Sequence, residues 1–196
     1  MIPSWAASGN LKGKARLVTC ITGTPGTGKS TVGKLLARRG LFVVEIGDLC
    51  RRHGIYSYIE NGETLVIDEG QLSEFLSRYL RGVEEAIVVG HLSHHYPEPT
   101  SVVVLRTRPD VLEERLRSKG WPRRKIEENV EAEALDIILA EALEMHREKV
   151  SEIDTTALSP GEVCERVVEI HRLGRRYPPK ARDWLLAHIL KDLNGR

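Results

Sequence analysis

The run Gly23-Thr24-Pro25-Gly26-Thr27-Gly28-Lys29-Ser30 combines residue types and spacing that could do chemistry, and it fits G-x-x-x-x-G-K-[ST]. Glycines let the backbone adopt positive φ and gather N–H groups around phosphate oxygens. The helix expected next adds the positive end of its dipole at the same place. Lys29 can reach the β and γ phosphates, and the Ser30 hydroxyl can ligate Mg²⁺. The run therefore predicts a nucleoside triphosphate site, without naming a reaction.

Other residues offer weaker chemistry. Arg51 follows Gly47-Asp48 and could grip phosphate with its planar fork, whereas Arg52 reads as surface. Asp48 suits either a helix start or a role near Mg²⁺. His91, His94 and His95 form His-x-x-His-His, but no Cys or further spaced ligand is near, so the spacing does not predict zinc. Arg123, Arg124 and Lys125 read as a solvated charge run that a lid could turn toward phosphates. Asp68 suits a helix cap equally well. Cys20, Cys50 and Cys164 are odd in number and far apart, which argues against a disulfide framework and fits a reducing cytoplasm.

These residues must be positioned by an alternation of strand-like and helix-period runs, the pattern of a parallel α/β sheet. Strands are expected at Leu17 to Thr22, Phe42 to Ile46, Ala86 to Val89, Val102 to Leu105 and Val150 to Asp154. Helices are expected from Lys29 to about Arg39, after Gly47-Asp48, around Leu72 to Tyr79, after Pro109, from about Pro122 to Lys149, and from Pro160 to about Leu173. Gly54 to Thr64 shows no strong period. Tyr177-Pro178-Pro179 breaks the chain before a short amphipathic helix carrying Trp184, Leu185 and Ile189.

The chain has 196 residues, 41% of them hydrophobic, and a net charge of +1, which excludes wholesale disorder and a histone-like polycation. Apolar runs are only strand length, so no membrane span is expected, and Met1 to Lys14 lacks the apolar core of a secretory signal. Charge is uneven: Arg172 to Arg196 holds seven basic and two acidic residues. Docking of that tail through its apolar residues is the favoured expectation, with RNA contact as the rival.

Taken together, Gly23 to Thr31, Gly47-Asp48-Leu49-Cys50-Arg51, Glu114-Arg115-Leu116 and Ile153-Asp154-Thr155-Thr156 resemble a nucleoside monophosphate (NMP) kinase. Leu65-Val66-Ile67-Asp68-Glu69, His91 with Pro97 downstream, Val104-Leu105-Arg106-Thr107, and Gly120-Trp121 with Lys125 and Asn129 narrow the resemblance. They point to the small archaeal and eukaryotic nuclear-type adenylate kinases, which also act as ATPases in small-ribosomal-subunit assembly. The resemblance covers about residues 15 to 172.

The resemblance implies a three-layer P-loop domain over 15–173 with a five-stranded parallel sheet, an NMP lid at about 47–70 and a short ATP lid at about 118–128, followed by a basic extension, 174–196. It implies that Gly26, Gly28, Lys29, Ser30 and Thr31 hold ATP with Lys119 and Ser159, in a loop from Asp154 to Pro160 that wraps the adenine. Arg51 would hold the NMP phosphate, and Ser30 and Asp48 would hold Mg²⁺, the latter through water. Lys29, His91 and Arg115 would be catalytic. The implied activity is reversible transfer of the ATP γ-phosphate to AMP or another NMP, with ATPase activity. The implied partners are a small-subunit ribosomal protein beside the pre-rRNA 3′ end and the pre-rRNA itself; the implied compartment is the cytoplasm.

Two departures from the family pattern stand out. Val89 occupies the place of the acid that usually ends the third strand, so either Asp48 or Asp68 supplies the missing charge or the metal relies on fewer protein groups. Lys119 stands where an Arg is frequent. Two other readings compete. One is an ATP-hydrolysing assembly factor with little kinase turnover. The other is a different small-molecule P-loop kinase, for shikimate or dephospho-coenzyme A; Glu45-Ile46-Gly47-Asp48 lacks the Asp-x-Asp that shikimate kinases show there.

Overall fold

The computed structural model describes residues 16–60, 64–180, 182–186, 188 and 189. Five strands form a parallel sheet: β1 (Leu17–Thr22), β2 (Val43–Glu45), β5 (Glu85–Val89), β6 (Ser101–Arg106) and β7 (Val150–Asp154), in the order β2-β5-β1-β6-β7. A separate antiparallel pair joins β3 (Tyr58–Glu60) to β4 (Thr64–Val66). The helices are α1 (Lys29–Arg38), α2 (Ile46–His53), α3 (Glu69–Tyr79), α4 (Pro109–Ser118), α5 (Arg123–Ala134), α6 (Ile137–His146) and α7 (Pro160–Leu173).

Both sheet faces are covered, which is why its strands read as unbroken apolar runs. Successive residues point to opposite faces. Val18, Cys20, Val88, Val102 and Val104 pack with Leu72 and Leu76 of α3 and Leu139 and Ala142 of α6. Ile21, Ile87, Val89, Val103 and Leu105 pack with Val32 and Leu36 of α1 and Val163, Val167 and Ile170 of α7. The chain leaves β1 for the edge strand β2, returns beside β1 as β5, and then crosses to β6. That change of direction opens a crevice at the carboxyl ends of the strands, where ligands of open α/β sheets bind.

Two local expectations are corrected. The helix expected from about Pro122 to Lys149 is two helices and a 3-10 turn, Arg147–Lys149. Asp136 breaks it, with φ 58°, a left-handed conformation that Asp tolerates, and its carboxylate accepts from the Arg106 guanidinium at 2.5 Å. The apolar period survives because the two halves bury against different partners. Ile126 and Val130 join Leu112 and Leu116 of α4 in a small core of their own, while Leu139 and Ala142 join the sheet. The stretch Gly54 to Thr64, without period in sequence, contributes the β3–β4 pairing, with Ile59 opposite Leu65. Tyr58 and Ile59 remain exposed, so no buried face marks their alternation.

Beyond α7 the chain turns back along β7. Glu152 N–H donates to the Tyr177 carbonyl at 2.7 Å, and Tyr177 N–H donates to the Ser151 hydroxyl at 3.3 Å. Lys180 N–H donates to the Glu152 carboxylate at 2.8 Å, and Arg182 pairs with the same group. Trp184 lies against two guanidinium groups, Arg106 at 4.9 Å and Arg182 at 5.0 Å from its ring centre. Arg172 pairs with Glu85, and Arg175 with Glu169, so much of the tail's positive charge faces this chain's own acids.

Candidate nucleotide site

The loop between β1 and α1 bends where only glycine fits. Gly23 has φ 133°, and a side chain there would come within 2.3 Å of the Leu105 carbonyl oxygen. Gly26 has φ 97°, and a side chain there would meet Leu112 and Leu116 of α4 at 2.7 and 2.9 Å. The loop is thereby packed against α4, the helix that carries Arg115.

Lys29 is buried and folds back on this loop, donating to the Gly23 carbonyl at 2.6 Å and the Thr24 carbonyl at 3.0 Å. Burial pushes its pKa down to about 8; Glu133 and Glu45 oppose the fall, and Lys119 adds to it. Arg115 reaches the cleft floor and donates to the Thr107 and Thr155 hydroxyls, both at 3.1 Å, and to the Thr155 carbonyl at 2.8 Å. Gly26, Gly28, Thr31, Arg115 and Lys119 line a cleft of about 270 Å³ whose other wall is Leu158, Pro160 and Val163. The lining thus combines two cations and loop glycines with aliphatic carbon. That combination suits a nucleotide, with its triphosphate and its base.

Two acids that the sequence reading did not single out complete the site. Glu45 ends β2 directly beside Val89 of β5 in the sheet register. Its Oε2 lies 3.5 Å from the Ser30 hydroxyl, and its Oε1 is buried with no hydrogen-bond partner. Burial raises its pKa, and Asp48 raises it further, whereas Ser30, Lys34 and Lys29 oppose the rise. Glu45 thus places a carboxylate on the strand next to Val89, the position of the acid expected on β5. The clue in sequence was an acid ending one short strand where another strand lacked it. An orphaned carboxylate oxygen beside a P-loop serine fits a hydrated Mg²⁺ arriving with ATP, with Ser30, Glu45 and Asp48 as its protein neighbours.

Glu133 is 1% exposed and serves several groups at once. It accepts from the Thr24 hydroxyl of the loop, from Arg106 Nε at 2.9 Å and from Thr107 N–H at 2.8 Å. Arg106, itself 2% exposed, also pairs with Asp136 at 2.5 Å and approaches Glu152 at 3.8 Å. This buried network ties the phosphate loop to the break between α5 and α6. Nothing in the local sequence marked it, because its partners come from four separate segments.

The remaining residues are placed as follows. His91 follows β5; its carbonyl accepts from Thr22 at 2.7 Å. Although the residue is exposed as a whole, lost hydration on the protein side and the nearby Lys29 and His95 push its pKa down to about 4. Asp68 caps α3 by accepting from Gln71 N–H at 2.8 Å. Ser159 does not line the cleft; its hydroxyl closes a capping box with Glu162 at the start of α7, and its neighbours Leu158 and Pro160 form the wall. Arg51 is exposed on α2 and lines no part of the cleft, and Asp48 is exposed in the first turn of the same helix. Arg123 and Arg124 pair along α5 with Glu127 and Glu128, as a solvated face. The three cysteines are free and buried, and burial raises each thiol's pKa.

Comparison with known proteins places the chain in a family. A family model described as "AAA domain" matches residues 20–136. A protein of Methanothermobacter thermautotrophicus named "Putative adenylate kinase" is 41% identical over 177 residues, covering 85% of this chain and 98% of its own length. One of the same name from Archaeoglobus fulgidus is 45% identical, covering 86% and 92%. The chain belongs to the adenylate kinase-like family of P-loop proteins. A Thermococcus kodakarensis member is 41% identical, covering 86% and 93%. The fold of this adenylate kinase-like chain is also that of a shikimate kinase from Acinetobacter baumannii solved with shikimate, at TM-score 0.57 and 16% identity, covering 83% and 96%. That likeness concerns architecture alone. Among the described residues no helix is long and apolar enough to cross a membrane.

Proposed function

We propose that the protein is an adenylate kinase that moves the γ-phosphoryl group of Mg²⁺·ATP to AMP or another NMP. The observation that carries this reading is a P-loop cleft lined by Arg115 and Lys119 with an apolar wall of Leu158, Pro160 and Val163, next to the loop onto which Lys29 folds. Phosphoryl transfer asks little covalent help of a protein; it needs in-line placement and neutralisation of charge on the moving group. Lys29 and Lys119 supply point charge, and Arg115 a planar fork. Mg²⁺ supplies charge neutralisation on the phosphates when it is bound. The segments 47–70 and 118–128 are assigned as lids over acceptor and donor, keeping water from competing for the phosphoryl group. Arg51, on α2 within the first of these, is assigned the acceptor phosphate.

The test is product analysis with Mg²⁺·ATP and AMP, CMP, UMP or shikimate. AMP-dependent formation of two ADP per ATP consumed is expected. Arg51→Ala should cut that transfer about a hundredfold while leaving slow ATP hydrolysis in place. Glu45→Gln should raise the Mg²⁺ concentration needed about tenfold. Slow ADP and free phosphate whatever the acceptor would reject the reading.

That last outcome is the second reading, hydrolysis, and His91 favours it. Its imidazole is held neutral beside Lys29 and so could accept a hydrogen bond from water. His91→Ala should then reduce hydrolysis and leave ATP affinity unchanged. The small-subunit ribosomal protein and pre-rRNA belong to this second reading only, and the names of the relatives above mention neither.

A further inference from the structure

We propose that His94, His95 and Glu141 form a binding site for a divalent transition metal, zinc by their chemistry, behind the phosphate loop. The sequence offered the cluster His91, His94 and His95 with no Cys or further spaced ligand near it. The fold supplies one: α6 brings Glu141 to the turn Ser93–His95, so that one ligand atom from each of His94, His95 and Glu141 lies within 4.8 Å of the others.

Hydrogen bonding fixes which atoms face the site. The Thr22 hydroxyl directs its one proton to the His91 carbonyl at 2.7 Å, so it must accept from His94 Nδ1, 2.9 Å away. In the neutral ring His94 Nε2 therefore carries a lone pair. That lone pair is fully buried, lacks a hydrogen-bond partner, and lies 3.3 Å from Glu141 Oε2. Two electron-rich atoms at that distance repel unless a cation sits between them, off their connecting line. Nitrogen and oxygen ligands at zinc bond lengths and the tetrahedral angle stand about 3.3 Å apart.

His95 completes the set. Its side chain is 12% exposed, and its Nε2 is buried without a partner, while Nδ1 lies 3.6 Å from the Glu69 carboxylate. A carboxylate behind a ligating imidazole orients the ring and raises its basicity. His146 Nε2 pairs with the His94 carbonyl at 2.5 Å and holds the turn itself. Two imidazoles and one carboxylate suit zinc, and water would fill the fourth position; Mg²⁺ and Ca²⁺ prefer oxygen alone. The bound ion would fasten α6 to the turn that follows β5 and carries His91.

The test uses full-length protein with no polyhistidine tag, purified and assayed for metal, then titrated with Zn²⁺ or Co²⁺ alone. About one zinc per chain is expected, with intense visible bands for tetrahedral Co²⁺. Glu141→Gln changes an exposed, fold-neutral carboxylate and should weaken zinc binding at least about tenfold. His95→Ala should do the same, and zinc should raise the melting temperature of the wild type more than that of either variant. Folded wild-type protein that takes up no zinc, or variants that bind it as tightly as the wild type, would overturn the proposal.

Discussion

Lys29 shows how a residue legible by motif acquires its working property from surroundings that are not. Its position after Gly28 announced phosphate, but its pKa of about 8 comes from burial, which the acids Glu133 and Glu45 offset only in part. ATP needs the charged ammonium. Below pH 8 that form is present in the free protein; above it, binding must draw a proton from solvent. Affinity for Mg²⁺·ATP should therefore hold between about pH 6.5 and 7.5 and fall toward about tenfold per pH unit above 8. Calorimetry in buffers of different ionisation enthalpy should show proton uptake on binding at pH 8.5, and a flat affinity up to pH 9.5 would reject the assignment. Glu45 was invisible for a related reason. An acid's role depended on Val89 of an adjacent strand, and strand adjacency follows from the sheet order, not from the spacing of residues in sequence. Ser159 was misplaced by one residue's worth of direction: the loop lies at the cleft, but its serine turns to cap α7.

Among elements, the strands and the helices that bury one face were readable, because burial writes its period into the chain. The junction of α5 and α6 was not, since the apolar period runs through it while the backbone breaks. A polar contact accompanies the break: Arg106 is buried at the end of β6, and Asp136, in a left-handed conformation, pairs with it. Glu133, in the turn before, holds the same guanidinium and the Thr24 hydroxyl. Removing one partner of a buried pair strands the other's charge. Glu133→Ala should thus lower the free energy of unfolding by about 3 kcal/mol. Asp136→Ala, at a position 42% exposed, should cost less. Urea denaturation of the two variants checks the ranking, and equal losses would show that Arg106 depends on Glu133 no more than on Asp136.

At the scale of the whole molecule, one parallel sheet presents its carboxyl ends to a single crevice, and the alternation of strand and helix made that much legible. The fate of the basic tail was not legible, because a run of Arg and Lys serves a docked segment as well as an exposed one. Its guanidinium groups meet Glu85, Glu169 and Glu152, and its backbone runs beside β7. Ending the chain after Leu173 should remove the partners of Glu152 and lower the melting temperature by several degrees, about 4 °C for each kcal/mol lost. Scanning calorimetry with light scattering would measure both stability and size, and an unchanged monomer of unchanged melting temperature would refute the docking. The same contact bears on how the molecule keeps to itself. Unpaired strand edges invite other chains to add on. The β2 edge is three residues long, too short to template much, whereas the β7 edge is five residues long. With Tyr177 bonded along it, the tail acts as a built-in competitor against sheet-to-sheet aggregation.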